Sequence, residues 1–297
     1  MLSKLKLYTD FVVLKHSLFA IPFAYLGAFL ASRGMPELRI LFWVGLAFLG
    51  ARSAAMALNN LVDRDIDAKN PRTASRELPS GRITLSEVWG IILVSYFLLF
   101  YSAYKLDPLN LLLLKLAPII PLTSIIYPYL KRLTPVSHFV LGLNLAFAPV
   151  GGWLAVTRAF NIPFGTPEIA MLLLLFAVTF WVAGFDMIYS LQDLDFDREN
   201  GLYSVPTVFG VRAALVFSFA AHVLMLALLA GLMLVLGLGV IFKLGLVIIA
   251  LQIGYEHTLV KADNFTNIPV AFFNVNAAVS LCLLAFTVAD VLISVSY

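Results

Sequence analysis

Nine long apolar runs constrain this chain more than anything else in it. They lie near residues 16–32, 38–58, 84–104, 108–127, 136–157, 168–190, 212–235, 239–257 and 271–293. About 20 apolar residues of α-helix cross the roughly 30 Å hydrocarbon core of a bilayer. Lipid offers no partner to a backbone N–H or C=O, so only helices and closed barrels can span it, and these runs are too long for barrel strands. The pattern predicts an all-α polytopic membrane protein with nine transmembrane helices bundled around a central cavity. Composition agrees: 61% of the 297 residues are hydrophobic and 12% charged, against about a quarter charged in soluble domains.

The charges exclude several classes. A formal net charge of +3, dispersed in short clusters between the runs, argues against a nucleic-acid partner. Cys282 is the one cysteine and sits inside an apolar run, so disulfides and cysteine metal sites are ruled out and a packing role is expected. The first 32 residues carry no small-residue cleavage site ahead of a soluble domain and read as a retained first span. Lys and Arg gather in cytoplasmic loops. With the N-terminus inside, thirteen of them (Lys4, Lys6, Lys15, Arg64, Lys69, Arg72, Arg76, Arg82, Lys131, Arg132, Arg198, Arg212 and Lys261) fall on the cytoplasmic side; Arg33, Arg39, Lys105 and Arg158 fall on the other. An odd number of spans then leaves the C-terminus outside, in a multi-pass protein of the inner (cytoplasmic) membrane.

Two hydrophilic loops, about 59–83 and 191–211, follow even-numbered spans and are therefore both cytoplasmic Asp-rich loops. No soluble domain is visible, so residues 1–297 read as one membrane domain with two quasi-repeated halves, about 1–135 and 136–297. Descending the second span, Arg52, Asn59, Asp63 and Asp67 fall at spacings of 7, 4 and 4, within a fan of roughly 80° on one helix face. The sixth span repeats this with Asp186, Tyr189, Asp193 and Asp197. Asp65 and Asp195 point away from these faces.

Four carboxylates on two facing helices repel unless a cation intervenes. Oxygen-only ligands select hard cations, and Mg²⁺ typically takes one or two carboxylates plus substrate phosphates. The expected metal ligands are Asn59, Asp63, Asp67, Asp193 and Asp197, and the expected anion is a diphosphate. Arg72, Arg76 and Lys131, with Tyr127 and Arg132, supply donors suited to phosphate oxygens.

Plainer readings exist for other charges. Arg64, Asp65, Glu77 and Arg82 can simply solvate a loop. Arg52 and Asp186 lie about two turns inside the membrane, where charge is costly; they are either a structural ion pair or the site of an acceptor, Arg52 taking its carboxylate and Asp186 its hydroxyl. Lys15, His16, Lys115 and Lys243 suit snorkelling, and Asn144, Asn274 and Asn276 suit hydrogen bonding between helices.

The stretches "RSAAMALNNLVDRDIDAKNPRTASRELPSG", "YPYLKR" and "YSLQDLDFDRENGLYSVPTVFG" together resemble the UbiA superfamily of intramembrane aromatic prenyltransferases. The resemblance covers nearly the whole chain and is nearest to the 4-hydroxybenzoate polyprenyltransferase branch of quinone biosynthesis. It implies that Asn59, Asp63, Asp67, Asp193 and Asp197 serve the Mg²⁺–diphosphate, that Arg72, Arg76, Tyr127 and Lys131 contact the diphosphate, and that Arg52 serves the aromatic acceptor, with Asp186 and Tyr189 beside it. The implied partners are a polyprenyl diphosphate, a small aromatic acid and membrane lipid, with no obligatory protein partner. Asn60 stands where many members have Asp, Glu77 where they have Pro, and Tyr203 where Lys is frequent. These departures are more similar to a menaquinone-route branch acting on 1,4-dihydroxy-6-naphthoate, which leaves the acceptor open. A cation-coupled transporter would have little need of an arginine-rich loop beside its acids, and a CDP-alcohol phosphotransferase would need a D-G and A-R arrangement absent here.

Overall fold

The computed structural model describes residues 2–12 and 14–294, without the side chains of residues 2, 3, 5, 14–19 and 294; Lys15 and His16 therefore lie outside the described side chains. Helices follow the apolar runs in order: α1 (Leu2–Phe11), α2 (Leu14–Ser32), α3 (Leu38–Asp67), α4 (Leu85–Leu106), α5 (Leu112–Leu116), α6 (Ile119–Leu130), α7 (Ser137–Thr157), α8 (Thr166–Tyr189), α9 (Leu194–Glu199), α10 (Val205–Phe209), α11 (Val211–Leu236), α12 (Val240–Leu259) and α13 (Asn276–Ser294). Among the described residues eight segments are long and apolar enough to cross a membrane, and the apolar helix Ala20–Ser32 stands where a ninth was expected.

The ends of these helices are set by residues legible as stops and caps. Thr84 and Glu87 form a reciprocal capping box at the start of α4. Glu168 accepts from the Asn161 and Gly165 amides, each at 3.0 Å, ahead of α8. Asp290, reaching from α13, accepts from Gly239 and Phe242 at the start of α12, at 2.7 and 3.1 Å. Gly237, at φ 62°, ends α11 in the left-handed conformation that glycine adopts without steric cost. The fourth run differs from its expected form: Pro118 lacks an amide donor, and the run breaks into α5 and α6.

Helices α2, α7, α8, α11, α12 and α13 pack each on the next, and α13 returns to α2. Helix α3 packs on α2, α4, α6 and α7, and α6 on α7, which leaves a space bounded by α2, α3, α6 and α7. Small residues allow the closest approaches, as is common between membrane helices: a Cβ at Gly152 of α7 would sit 2.0 Å from the Ala24 carbonyl oxygen of α2. Large apolar side chains such as Leu38, Leu93, Phe97, Leu234 and Leu251 are exposed on the outside, as a lipid-facing surface requires.

Polar groups segregate to the two ends. Arg33 donates to the Leu236 carbonyl and Arg39 to the Lys105 carbonyl, bringing together basic residues assigned to the outer side. At the other end Lys4 meets Glu87, Lys131 meets Asp63, and the Tyr203 amide donates to the Lys131 carbonyl. Of the asparagines, Asn144 joins α7 to Ser124 of α6 at 3.0 Å and Asn276 joins α13 to Glu256 of α12 at 3.3 Å, whereas Asn274 is exposed. Lys115 bonds the Asn110 carbonyl and Lys243 is exposed.

Candidate active site

Helix α3 continues past the membrane run to Asp67, so Asn59, Asp63 and Asp67 are helical and share one face as their spacing requires, with Asp65 exposed on the other. The second acidic arm is less regular than expected. Residues Ser190–Asp193 form a 3-10 turn between α8 and α9, which has a tighter pitch than an α-helix, so a constant helical phase does not carry from Asp186 to Asp197. Asp186 faces His138, while Asp193 turns to Arg72.

Each arm meets cations. Asp63 accepts from Lys131 Nζ at 2.5 Å, and Arg132 stands 3.6 Å from its other oxygen while donating to the Val62 carbonyl. Asp67 accepts from Arg76 at 3.0 Å. Asp193 takes both prongs of the Arg72 fork, at 2.8 and 2.5 Å, and Asn70 Nδ2 at 2.9 Å. Arg72 also donates to the Tyr189 hydroxyl at 3.2 Å and lies 5.6 Å from its ring centroid. Burial lowers the pKa of this guanidinium, but the hydrogen bonds to Asp193 and Tyr189 more than offset that and raise it, so it stays charged. Arg72 and Arg76, expected to act together, thus go to different arms: Arg72 bridges the two halves and Arg76 stays with α3. Asp197 stands apart, with no cation within 4.0 Å among the described residues.

Behind this ring of charge lies a cavity of about 430 Å³. Arg52, Asn59, Arg76, Tyr127, Asp186 and Tyr189 line its polar end, and the rest of its wall is mainly apolar. Val44 and Asn59 both belong to the wall, and the rise of fifteen residue steps from one to the other along α3 makes the channel about 22 Å long. Ala47, Ala51 and Ala55 keep the α3 face low along that length.

Of the two readings open for Arg52 and Asp186, the ion pair between them does not form. Asp186 is bonded at 2.7 Å to His138 Nδ1, and the Val205 amide donates to His138 Nε2 at 3.2 Å. An amide can only donate, so Nε2 is the bare nitrogen and Nδ1 carries the hydrogen given to Asp186. Arg52 has no carboxylate within 4.0 Å among the described residues, and its buried Nε is without a partner. Asn60 is not a cavity residue: its Nδ2 donates to the Phe11 carbonyl at 3.1 Å and ties α1 to α3.

Of the expected site residues, then, Arg52, Asn59, Arg76, Tyr127, Asp186 and Tyr189 share the cavity, while Asp63, Asp67, Asp193, Arg72 and Lys131 form ion pairs at its mouth. Sequence reading missed His138 and Asn70; a histidine at the start of an apolar run and a second Asn three residues past the last Asp were the available signals. The donor set suits a hard divalent cation: every candidate ligand is oxygen, Asp63 Oδ1 has no hydrogen-bond partner, and Asp197 is unpaired. Among the described residues no three His, Cys, Asp or Glu side chains converge enough to hold an ion unaided, so phosphate oxygens would complete the coordination.

A model of the UbiA prenyltransferase family matches residues 20–278. The chain is 30% identical over 251 residues to a 4-hydroxybenzoate octaprenyltransferase of Alkalilimnicola ehrlichii, covering 84% of this chain and 82% of that one. It superposes on an apo UbiA homolog from Aeropyrum pernix K1 with a TM-score of 0.83 and 35% identity, covering 94% and 98% of the two chains. A UbiA homolog from Archaeoglobus fulgidus bound to DMAPP and Mg²⁺ shares the fold, with a TM-score of 0.70 and 19% identity over 96% and 98%.

Proposed function

Since this chain belongs to the UbiA prenyltransferase family and is a membrane-embedded prenyltransferase, we propose that it transfers a polyprenyl group from its diphosphate to a ring carbon of a 4-hydroxybenzoate-type acid, releasing diphosphate, in quinone biosynthesis. The observation that carries this reading is the cavity: an apolar channel about 22 Å long ends at carboxylates and cations from both halves of the chain. The single 1,4-dihydroxy-6-naphthoate alternative has no counterpart among the named relatives.

Asn59, Asp63, Asp67, Asp193 and Asp197 would hold Mg²⁺, which supplies charge neutralisation to the departing diphosphate. Arg72, Arg76, Lys131 and the Tyr127 hydroxyl donate to the phosphate oxygens, favouring the negative charge that grows as the allylic C–O bond breaks. The apolar wall holds the polyprenyl tail and keeps water from the electrophile. Arg52 takes the acceptor carboxylate, which fixes the ring against the allylic carbon. Asp186, steadied by His138, receives the acceptor hydroxyl and raises electron density at the ortho carbon, whose proton leaves once the new C–C bond has formed. The N-terminus is cytoplasmic and the C-terminus outside in this reading, with the charged mouth facing the cytoplasm of the inner membrane.

Asp63→Ala and Asp193→Ala should each abolish prenyl transfer in purified protein with Mg²⁺ while leaving the melting transition in place; full activity in either sinks the assignment. Mass spectrometry of products formed with both acids in competition should show prenylated 4-hydroxybenzoate in excess, and a dominant naphthoate product would move the acceptor to the menaquinone route.

A further inference from the structure

The segment Val270–Val275 that leads into α13 is π-helical. Such wide turns are rare and occur mostly at functional sites. Consecutive residues of a π-turn are set closer to one face than those of an α-helix, and here Phe272 and Phe273 both line the channel. Side chains hold the turn in this form. Asn276, 6% exposed, gives its own amide to the Phe273 carbonyl, while its Nδ2 donates to the carbonyls of Ala271 at 3.0 Å and Phe272 at 3.2 Å. The same Nδ2 lies 3.3 Å from Oε1 of Glu256, a fully buried residue of α12. One buried amide therefore ties the π-turn to the neighbouring helix.

The two phenylalanines belong to a corner of rings. They stand at 89° to each other with centroids 4.6 Å apart. Phe272 also lies 5.2 Å from Phe185 at 82°, and 4.0 Å from Tyr189 at 33°. Tyr189 connects this corner to the charged mouth: its hydroxyl accepts from Arg72, whose guanidinium is 5.6 Å from the ring centroid and also holds Asp193. The corner thus begins one side chain behind Arg72.

An allylic carbon is bonded to its diphosphate, so it has to sit where the cations of the mouth give way to the apolar wall, which is where these rings stand. As its C–O bond breaks, the electron pair leaves with the diphosphate oxygen and positive charge spreads over the allylic carbons. An aromatic face carries partial negative charge and attracts a cation within about 6 Å of its centroid, most strongly where water is excluded. Unlike a carboxylate, a phenyl ring does so without forming an ester with the cation.

We propose that Phe272 and Phe273 are catalytic residues that stabilise the allylic cation with their rings, and that Asn276 is the positioning residue that keeps their π-turn from relaxing into an α-helix. The two rings gain and lose no electrons; the acceptor supplies the pair for the new C–C bond and then loses its ring proton. This rests on the prenyl-transfer reading above, and it adds the groups that hold the cation between departure of the diphosphate and attack by the acceptor.

Full-length protein in detergent with Mg²⁺, geranyl diphosphate and 4-hydroxybenzoate is the test system, and the single-turnover rate of prenyl transfer is the readout. Phe272 and Phe273 are each replaced by phenylalanines carrying one, two or three ring fluorines, which keep the ring's shape and drain its face of negative charge. The rate should fall stepwise along each series, to about ten-fold or more below wild type, while the Kd of unreactive geranyl thiolodiphosphate stays within two-fold. Asn276→Leu should lower the rate as Phe272→Leu does, and in the double variant the two losses should not add, as expected of residues acting through one another. A flat fluorine series at either position overturns the role of that ring, as does a parallel loss of affinity for the analogue; additive losses overturn the role of Asn276. Failure of the wild type to prenylate 4-hydroxybenzoate would instead count against the function reading, and the same series, read on Mg²⁺-dependent release of diphosphate from geranyl diphosphate, then decides the role of the rings. No such release at all overturns both.

Discussion

Arg52→Met should make the protein more stable and nearly inactive. Arg52 is a membrane-embedded cation with no carboxylate within 4.0 Å among the described residues and an unpaired, shielded Nε. An orphaned buried donor costs about 1–3 kcal/mol, and a charge near the centre of a membrane helix at least about 2.5 kcal/mol. Methionine retains most of the aliphatic stem and removes both penalties, so a net gain of about 1–2 kcal/mol is expected after some lost packing. The acceptor side moves the other way. Two charge-assisted hydrogen bonds to a carboxylate contribute about 3–5 kcal/mol together, which is roughly a 10²–10⁴-fold fall in kcat/KM for the aromatic acid. Melting in detergent and steady-state kinetics with the acid varied measure both. Arg52→Lys should fall between, since it keeps the charge and loses the fork. A variant that melts clearly below wild type would show that Arg52 has a structural partner, and an unchanged acceptor KM would show that the carboxylate binds elsewhere.

Other perturbations separate scaffold from chemistry. Asn60→Asp should lower the melting temperature, by about 1–3 kcal/mol in stability, with kcat preserved, because a carboxylate cannot donate to the Phe11 carbonyl. His138→Ala should reduce kcat about ten-fold or more by releasing Asp186 and stranding the Val205 amide; the acceptor and diphosphate KM values checked alongside should move less. Gly152→Val should destabilise the α2–α7 contact and depress yield and melting temperature, since its Cβ would overlap the Ala24 carbonyl. Chelation with EDTA should stop turnover and added Mg²⁺ should restore it, as followed by product mass.

Much of this architecture is legible in the residues because lipid enforces a simple rule. The apolar runs became helices, and the basic residues of the two sides collected at opposite ends, as Arg33 with Leu236 and Lys131 with Asp63 illustrate. The α3 motif was readable because one unbroken helix carries Asn59 through Asp67. The second motif was only half readable: its spacing is the same, but the 3-10 turn at Ser190–Asp193 changes the phase, and no local pattern announces a change of pitch. Pairings over long separations were hidden altogether. Arg72 with Asp193 and His138 with Asp186 depend on which helices become neighbours, and Arg52, which shares the cavity wall with Asp186, is not its partner. Asn60 likewise donates to the Phe11 carbonyl and ties α1 to α3, a contact that spacing along the chain does not announce.

The ion pairs at the mouth carry a consequence for how the enzyme tells its substrate from the small ions around it. Asp63, Asp67 and Asp193 are each already neutralised by Lys131, Arg76 and Arg72. A lone divalent cation arriving here would strand three basic side chains, and a lone phosphate would strand three acids. Only a metal and a diphosphate arriving together let every charge trade one partner for another with none left bare. On the proposed reading the mouth would act as a coincidence detector, expected to bind a metal and the diphosphate of an allylic substrate together more tightly than either alone.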